Sequence, residues 1–311
     1  MSESVTKLLK AINLIAKDDD DELADAIKEY DEIDYLIKQV NAFEKDIYKL
    51  FKAQKKYYVD AAEGFVSKAE LTDTKMMDFY NYMKQDLFAA DEFAKAMGTR
   101  TATMLGDTIE VVTSKVMDML DKDVSFNTLS GRTKAWIENW SEDLASLMQL
   151  NTHVALEAAL TDVINEGKGI PDAVKVIKDL PGFTRDRART TAITEILTAN
   201  SASQQEAYMQ SPAVTKKKWR HSGPKKIKPR KAHVELSGTE VDTEDAFNVN
   251  GYGGDYPRDP RLPAKERINC HCVLQPVVDR KILGLPAVDK EAIRAAAMKE
   301  FNYDKYKRPP A

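Results

Sequence analysis

The sequence predicts an α+β protein: a long, mainly helical N-terminal region, then a small loop-rich α/β module and a C-terminal helix. Three observations predict it. Apolar residues recur at spacings of three and four over most of residues 3–210, the period of a helix face. After Ser211 that period stops, and glycine, proline and short β-like runs take over. From Val288 the run VDKEAIRAAAMKE restores a helical pattern. The expected organisation is extended charged helices over 1–63, a helical domain over 64–210, the module over 211–285, and a helix with a basic tail over 286–311.

A chain of 311 residues is long enough for two domains with a core each. The net charge of −4 gives no global sign of a nucleic-acid binder. No apolar run approaches the roughly 20 residues of a membrane-spanning helix, so no membrane partner is expected. The opening stretch MSESVTKLLKAINLIAKDDDD has no apolar core region and no small-residue cleavage site, so no signal peptide is expected. Two cysteines cannot build a disulfide framework. A Cys-x-Cys pair on an extended strand would bridge only under strain, so synthesis in a reducing cytoplasm is expected.

The elements follow in order. Leu8, Ile12 and Ile15 form one narrow seam, and Leu23, Ile27, Tyr30, Ile33 and Ile37 form another, each flanked by charge. Such helices bury little alone and suit docking on a partner or packing as long hairpins. The run DDDD (18–21) reads as a solvated helix start favoured by the helix dipole. It lacks the ligand spacing and glycine of a calcium loop. Met76, Tyr80, Met83 and Leu87 form one helical stripe, and Trp136, Trp140, Leu144 and Leu147 form another. NEGKGIP (165–171) breaks the pattern, and a helix beginning near PGFTRD places Ala192, Ile193, Ile196 and Ala199 on one face. These stripes read as bundle core. In the module, TKKKW, KAHVEL and INCHCVLQP read as strands separated by turns.

The module also concentrates the chemistry. Three of the four histidines, His221, His233 and His271, fall there with both cysteines, Cys270 and Cys272. On a strand, Cys270 and Cys272 share one face and His271 takes the other. The two sulfurs could hold a zinc ion with His233 or His221 from a neighbouring strand. The alternative is two packed apolar thiols beside a surface histidine. A redox pair is disfavoured, because the Cys-x-x-Cys spacing is absent. His233 and Glu235, two apart on a strand, form a possible acid–base pair of the kind that arises by chance. No phosphate-binding loop, His-Glu-x-x-His or Gly-x-Ser-x-Gly motif is present.

Between Lys216 and Lys231 there are nine cations and no acid: Lys216, Lys217, Lys218, Arg220, Lys225, Lys226, Lys228, Arg230 and Lys231, with Trp219 among them. The run could contact DNA phosphates without reading bases. It could equally be a solvated loop balanced by ELSGTEVDTED (235–245).

Taken in order, several of these residues resemble a known family, the phage Mu protein F-like minor head proteins of tailed bacteriophages. The pattern is Trp219, Arg230-x-x-His233, Gly238, Phe247, Pro257-x-Asp259-Pro260 and Ile268-Asn269-Cys270-His271-Cys272, preceded by the pair Thr194 and Glu195 and by Asn200. The similarity extends over residues 130–280, with His271 standing where the family commonly carries arginine. The resemblance implies a non-enzymatic head protein in the virion. It would act in head assembly and in DNA packaging or ejection. The implied partners are the portal protein, with scaffold or major capsid protein beside it, and packaged double-stranded DNA. The implied location is the capsid interior near the portal, after assembly in the host cytoplasm. No cofactor is implied, and zinc stays open on the residues alone. Relatives of this type can carry fused toxin domains, but the residues after Pro276 read as one helix and a tail, so none is expected. The rival readings are a plain DNA-binding protein and a nuclease-like enzyme built on His233 and Arg230.

Overall fold

The computed structural model describes residues 20–67, 74–222 and 229–306. The expected seam of Leu8, Ile12 and Ile15 lies outside them, as do Lys225, Lys226 and Lys228. The expected α+β architecture is present: a long helical region, a small sheet module, and a C-terminal helix. The helices are α1 (Asp20–Ala26), α2 (Ile33–Ser67), α3 (Thr74–Tyr82), α4 (Phe93–Leu120), α5 (Gly131–Asn165), α6 (Ile170–Lys178) and α7 (Arg185–Gln210). Among the described residues, no helix is long and apolar enough to cross a membrane.

The chain divides into two compact units that are discontinuous in sequence. One contains residues 42–101 and 141–190. The other contains residues 18–41, 102–140 and 191–311, and so joins the segment around Tyr30 to the module.

The first unit is a helical core of Phe43, Ile47, Phe51, Tyr58, Phe79, Met83 and Leu156. Its interior includes a polar knot around Asp91. Asp91 Oδ2 accepts from Gln54 Nε2 (2.7 Å) and from the Tyr58 hydroxyl (2.7 Å), and lies 2.9 Å from His153 Nε2. Burial alone would raise the Asp91 pKa. Hydrogen bonds from His153, Gln54, Tyr58 and the Phe93 amide overcome that and hold it at about 2. The expected stripe, which runs from α3 into a π-helical turn at Met83–Leu87, is buried at Met76, Met83 and Leu87, while Tyr80 is half-buried and Phe79 takes the central place. In α5, Leu147 is exposed and Met148 is buried in its stead. The stripe drifts because 3.6 residues per turn do not keep a strict seven-residue repeat on one face.

In the second unit, α1 starts with Asp20 and Asp21 exposed in its first turn, as the dipole argument expects. The single seam expected from Leu23 to Ile37 is interrupted. Glu32 adopts φ 59°, the helix stops after Ala26, and α2 restarts at Ile33. The restart rotates the apolar face, so Leu36 and Val40 are buried while Ile33 and Ile37 are only half-buried.

The module's main sheet has three antiparallel strands in the order β2 (Glu240–Asp242), β1 (Val214–Arg220), β5 (Val273–Val278). Pro276 is tolerated because β5 is an edge strand. A separate hairpin pairs β3 (Phe247–Val249) with β4 (Tyr252–Gly254). Its two-residue turn, Asn250-Gly251, has positive φ at both positions (53° and 88°), the twist a tight hairpin requires. Two expected strands are corrected. KAHVEL is a short helix, α8 (Lys231–Glu235), and INCHCVLQP becomes strand only from Val273. Pro229 and Arg230 are followed by residues with no alternation of burial, which suits a helical turn. Asn269 at φ 56° bends the chain just before the cysteines.

The remaining helices are α9 (Ala264–Arg267), α10 (Arg280–Leu283), α11 (Ala287–Glu300) and α12 (Tyr303–Tyr306). The expected C-terminal helix, α11, is anchored by polar contacts. Lys290 Nζ bonds Asp121 (2.9 Å) and Asp123 (2.8 Å), and Arg294 Nη2 bonds Gln210 Oε1 (2.8 Å).

Candidate metal centre

Four parts of the module converge on the cysteines. The end of β1 delivers His221, α8 delivers His233, α9 delivers Glu266, and the bend at Asn269 delivers Cys270 and Cys272. His233 Nδ1 lies 3.5 Å from Cys270 Sγ and 3.5 Å from Cys272 Sγ. His221 Nδ1 lies 3.7 Å from Cys272 Sγ. Donor atoms of His233, Cys270 and Cys272 all fall within 4.8 Å of one another, and all three residues are buried. The other ring nitrogen of His233, Nε2, is 3.1 Å from Glu266 Oε2. His233 is thus paired with Glu266, not with Glu235, which is exposed on α8.

Arg258 organises the surroundings. It is fully buried, with φ 70°. Its Nη1 donates to the carbonyls of Cys270 (2.7 Å) and Cys272 (2.9 Å) and lies 3.9 Å from Cys270 Sγ. Its Nη2 donates to Ser201 Oγ (2.5 Å), and its guanidinium sits 5.7 Å from the centre of the Tyr30 ring. The Tyr30 hydroxyl donates to the Cys272 carbonyl at 3.0 Å. A hydrogen bond from Cys272, with those of His233 and the charge of Arg258, holds the Cys270 thiol well below its ordinary range. In the sequence, Arg258 is only the unspecified middle position of Pro257-x-Asp259-Pro260. Nothing in spacing alone marks it, because its role depends on a backbone turn and a contact partner on α7.

The other family-pattern residues support this site from behind. Trp219 stacks edge-on against His233 (5.6 Å) and Phe247 (5.4 Å). Gly238, at φ 91°, donates its amide to the Trp219 carbonyl (2.8 Å), and Trp219 in turn donates to Thr239 (3.0 Å). Pro257 is buried, and Asp259 accepts from the Asp255 amide (2.8 Å) and from Arg261 Nη2 (2.6 Å); Pro260 follows in the same turn. Glu195 is buried on α7, where Trp140 Nε1 (2.7 Å) and Arg267 Nη2 (3.1 Å) donate to it. Thr194 and Asn200 are buried on the same helix. His271 is not a surface residue: it is 5 % exposed, and burial lowers its pKa to about 4. The extended geometry that would have turned it outward begins only at Val273.

The cationic run is dispersed by the strand's own period. Lys216 is exposed, Lys218 pairs with Glu240 (2.7 Å) and Arg220 with Glu29 (2.8 Å). Lys217 faces inward with Trp219, is fully buried, and donates to Gln205 Oε1 at 3.0 Å. Arg230 Nη2 donates to the Ile268 carbonyl (2.6 Å), and Lys231 lies 3.5 Å from Glu235. Period-two reading of TKKKWR would have put Lys217 on the face of Trp219.

Comparison with known proteins places these residues in context. The phage Mu protein F-like family matches residues 154–275, from α5 through the cysteines and into β5. The chain is 44 % identical over 295 residues to the uncharacterized protein YqbB of Bacillus subtilis (strain 168), covering 93 % of this chain and 96 % of that protein. It is 29 % identical over 145 residues to the NAD(+)--arginine ADP-ribosyltransferase EFV of Enterococcus faecalis (strain ATCC 700802 / V583), covering 45 % of this chain and 28 % of that protein. No solved structure matches significantly. With the motif residues assembled around one site and a relative that matches along nearly its whole length, the chain belongs to the phage Mu protein F-like family of phage head morphogenesis proteins.

Proposed function

We propose that the protein is a minor head protein that joins the portal inside the capsid and acts, without enzymatic turnover, in head assembly and in the packaging or ejection of double-stranded DNA. The observation that carries this reading is the family match, whose span covers both α7 and the module that α7 braces. Three charged buried groups of that span are committed within it: Glu195 to Arg267, Arg258 to the cysteine carbonyls, Asp259 to Arg261. Such a body suits docking more than turnover. His233 faces two sulfurs on one side and Glu266 on the other, which leaves it ill placed to serve a nuclease as base. The similarity to the ADP-ribosyltransferase relative spans 28 % of that protein.

DNA contact is the secondary reading. It is favoured by exposed Lys216, while Lys218 and Arg220 are countered by Glu240 and Glu29. Scaffold and major capsid protein are the other partners to weigh. The test is quantitative mass spectrometry of procapsids assembled with and without the portal protein. The chain is expected in portal-containing particles and absent from portal-free shells. Equal incorporation into both would overturn portal docking and point to scaffold or shell.

A further inference from the structure

We propose that His221, His233, Cys270 and Cys272 hold a single structural zinc ion that clamps the module together. The argument begins with distances. A tetrahedral zinc with sulfur at about 2.3 Å and nitrogen at about 2.0–2.1 Å sets its sulfur and nitrogen ligands about 3.5–3.6 Å apart. The two His233–cysteine separations are 3.5 Å, and the His221–Cys272 separation is 3.7 Å. The donor atoms of His233, Cys270 and Cys272 already lie within 4.8 Å of one another, and His221, which nears Cys272 from outside that group, turns in as the fourth ligand. Two thiols packed only as apolar groups would have no use for two imidazole nitrogens aimed at their sulfurs.

The surroundings fit the same ion. Glu266 accepts from His233 Nε2, which places the ring proton there and leaves the Nδ1 lone pair facing the sulfurs. A carboxylate behind a ligating histidine is the usual way a protein orients such a ring. Arg258 lies beside Cys270 Sγ and holds both cysteine carbonyls, so the bend carrying the thiols is fixed before any ion arrives. With two thiolates on a doubly charged ion, and Arg258 opposite Glu266, the charges of the buried cluster cancel. Two sulfurs and two nitrogens select zinc over magnesium or calcium, which take oxygen ligands. Four protein ligands leave no open position, the mark of a structural and not a catalytic site. The ion would tie α8 to the end of β1 and the lead-in to β5, two strands that already pair with one another.

The test uses the full chain purified without a histidine tag. Elemental analysis is expected to find about one zinc per chain, the stoichiometry of a folding-linked site. After the metal is stripped with a chelator and replaced by cobalt(II), the spectrum should show the intense visible bands of tetrahedral cobalt and a thiolate charge-transfer band. Cys270→Ser and His233→Ala should lose the metal. His221→Ala should retain it with an altered cobalt spectrum, as water takes the fourth position. Glu266→Gln should weaken binding roughly 10–100-fold. The cobalt spectrum of the unmodified chain needs no variant, so a variant that fails to fold leaves the test intact. Less than about 0.2 zinc per chain with no uptake on reloading, or a cobalt spectrum lacking the thiolate band, overturns the site. An unchanged spectrum in His221→Ala overturns the fourth ligand.

Discussion

Arg258 shows how much one residue can carry when its side chain replaces regular structure. Two backbone carbonyls in a bend without strand pairing need donors, and one guanidinium supplies them. Arg258→Met should therefore cost about 2–4 kcal/mol, combining an unpaired buried carbonyl at Cys270 with the loss of the Ser201 contact. Urea denaturation measures this, and a loss under about 0.5 kcal/mol, the scale of a neutral surface change, would contradict it. Lys217 makes a different case. Burial lowers its pKa to about 8, below the ordinary lysine value. The native state then binds fewer protons than the unfolded state between that value and about 10.4, so this residue makes stability rise with pH across the interval. The full rise is at most about 3 kcal/mol. Lys217→Met should abolish it, read as a flatter stability–pH profile from pH 7.5 to 10; an unaltered slope would show that other groups set it.

At the scale of elements, the module depends on turns that only certain residues allow. Gly238 closes the connection from α8 to β2 with φ 91° and bonds back to Trp219. A side chain there meets no neighbouring atoms, so the cost of Gly238→Ala is purely conformational, about 1–2 kcal/mol destabilising. Gly106 inside α4 likewise has open space, but its helical backbone suits alanine, and Gly106→Ala should stabilise by about 0.5–1 kcal/mol. Opposite signs for the two substitutions in thermal melts are the expected result; the same sign for both would mean that the turn at Gly238 relaxes. The alternation along β1 acts at this scale too. It separates Lys217 from Lys216 and Lys218 and so divides a cationic run that looks continuous in one dimension.

For the whole molecule, the placement of residues 18–41 with the module changes what a truncation does. Tyr30 bonds the Cys272 carbonyl and lies against Arg258, and Glu29 pairs with Arg220. Leu23 and Ile27 are fully buried. Removing residues 1–41 should thus loosen the module itself. In hydrogen exchange, amides of 270–274 should lose at least tenfold in protection, the equivalent of about 1.4 kcal/mol of local opening. Unchanged protection there would show that the module stands without this segment. Head incorporation lost by such a truncation would then need separating from misfolding, for which Glu29→Gln, which removes one exposed ion pair worth at most about 1 kcal/mol, is the milder probe.

The long helices, the first strand of the module, the break at NEGKGIP, the apolar face of α7 and the family pattern were readable from residue order, because periodicity and turn chemistry are local properties. The pairing of His233 with Cys270 and Cys272 was also readable, from residue type alone. Whether the cysteines lay on a strand was not. That turned on Asn269 taking a left-handed conformation and on Arg258 serving carbonyls that no strand serves. The burial of His271 and Lys217, the partnership of His233 with Glu266, and the contact of Tyr30 with Cys272 join residues far apart in the chain. Tertiary packing decides such contacts, since the free energy of placing a charged or polar group depends on which distant partner satisfies it.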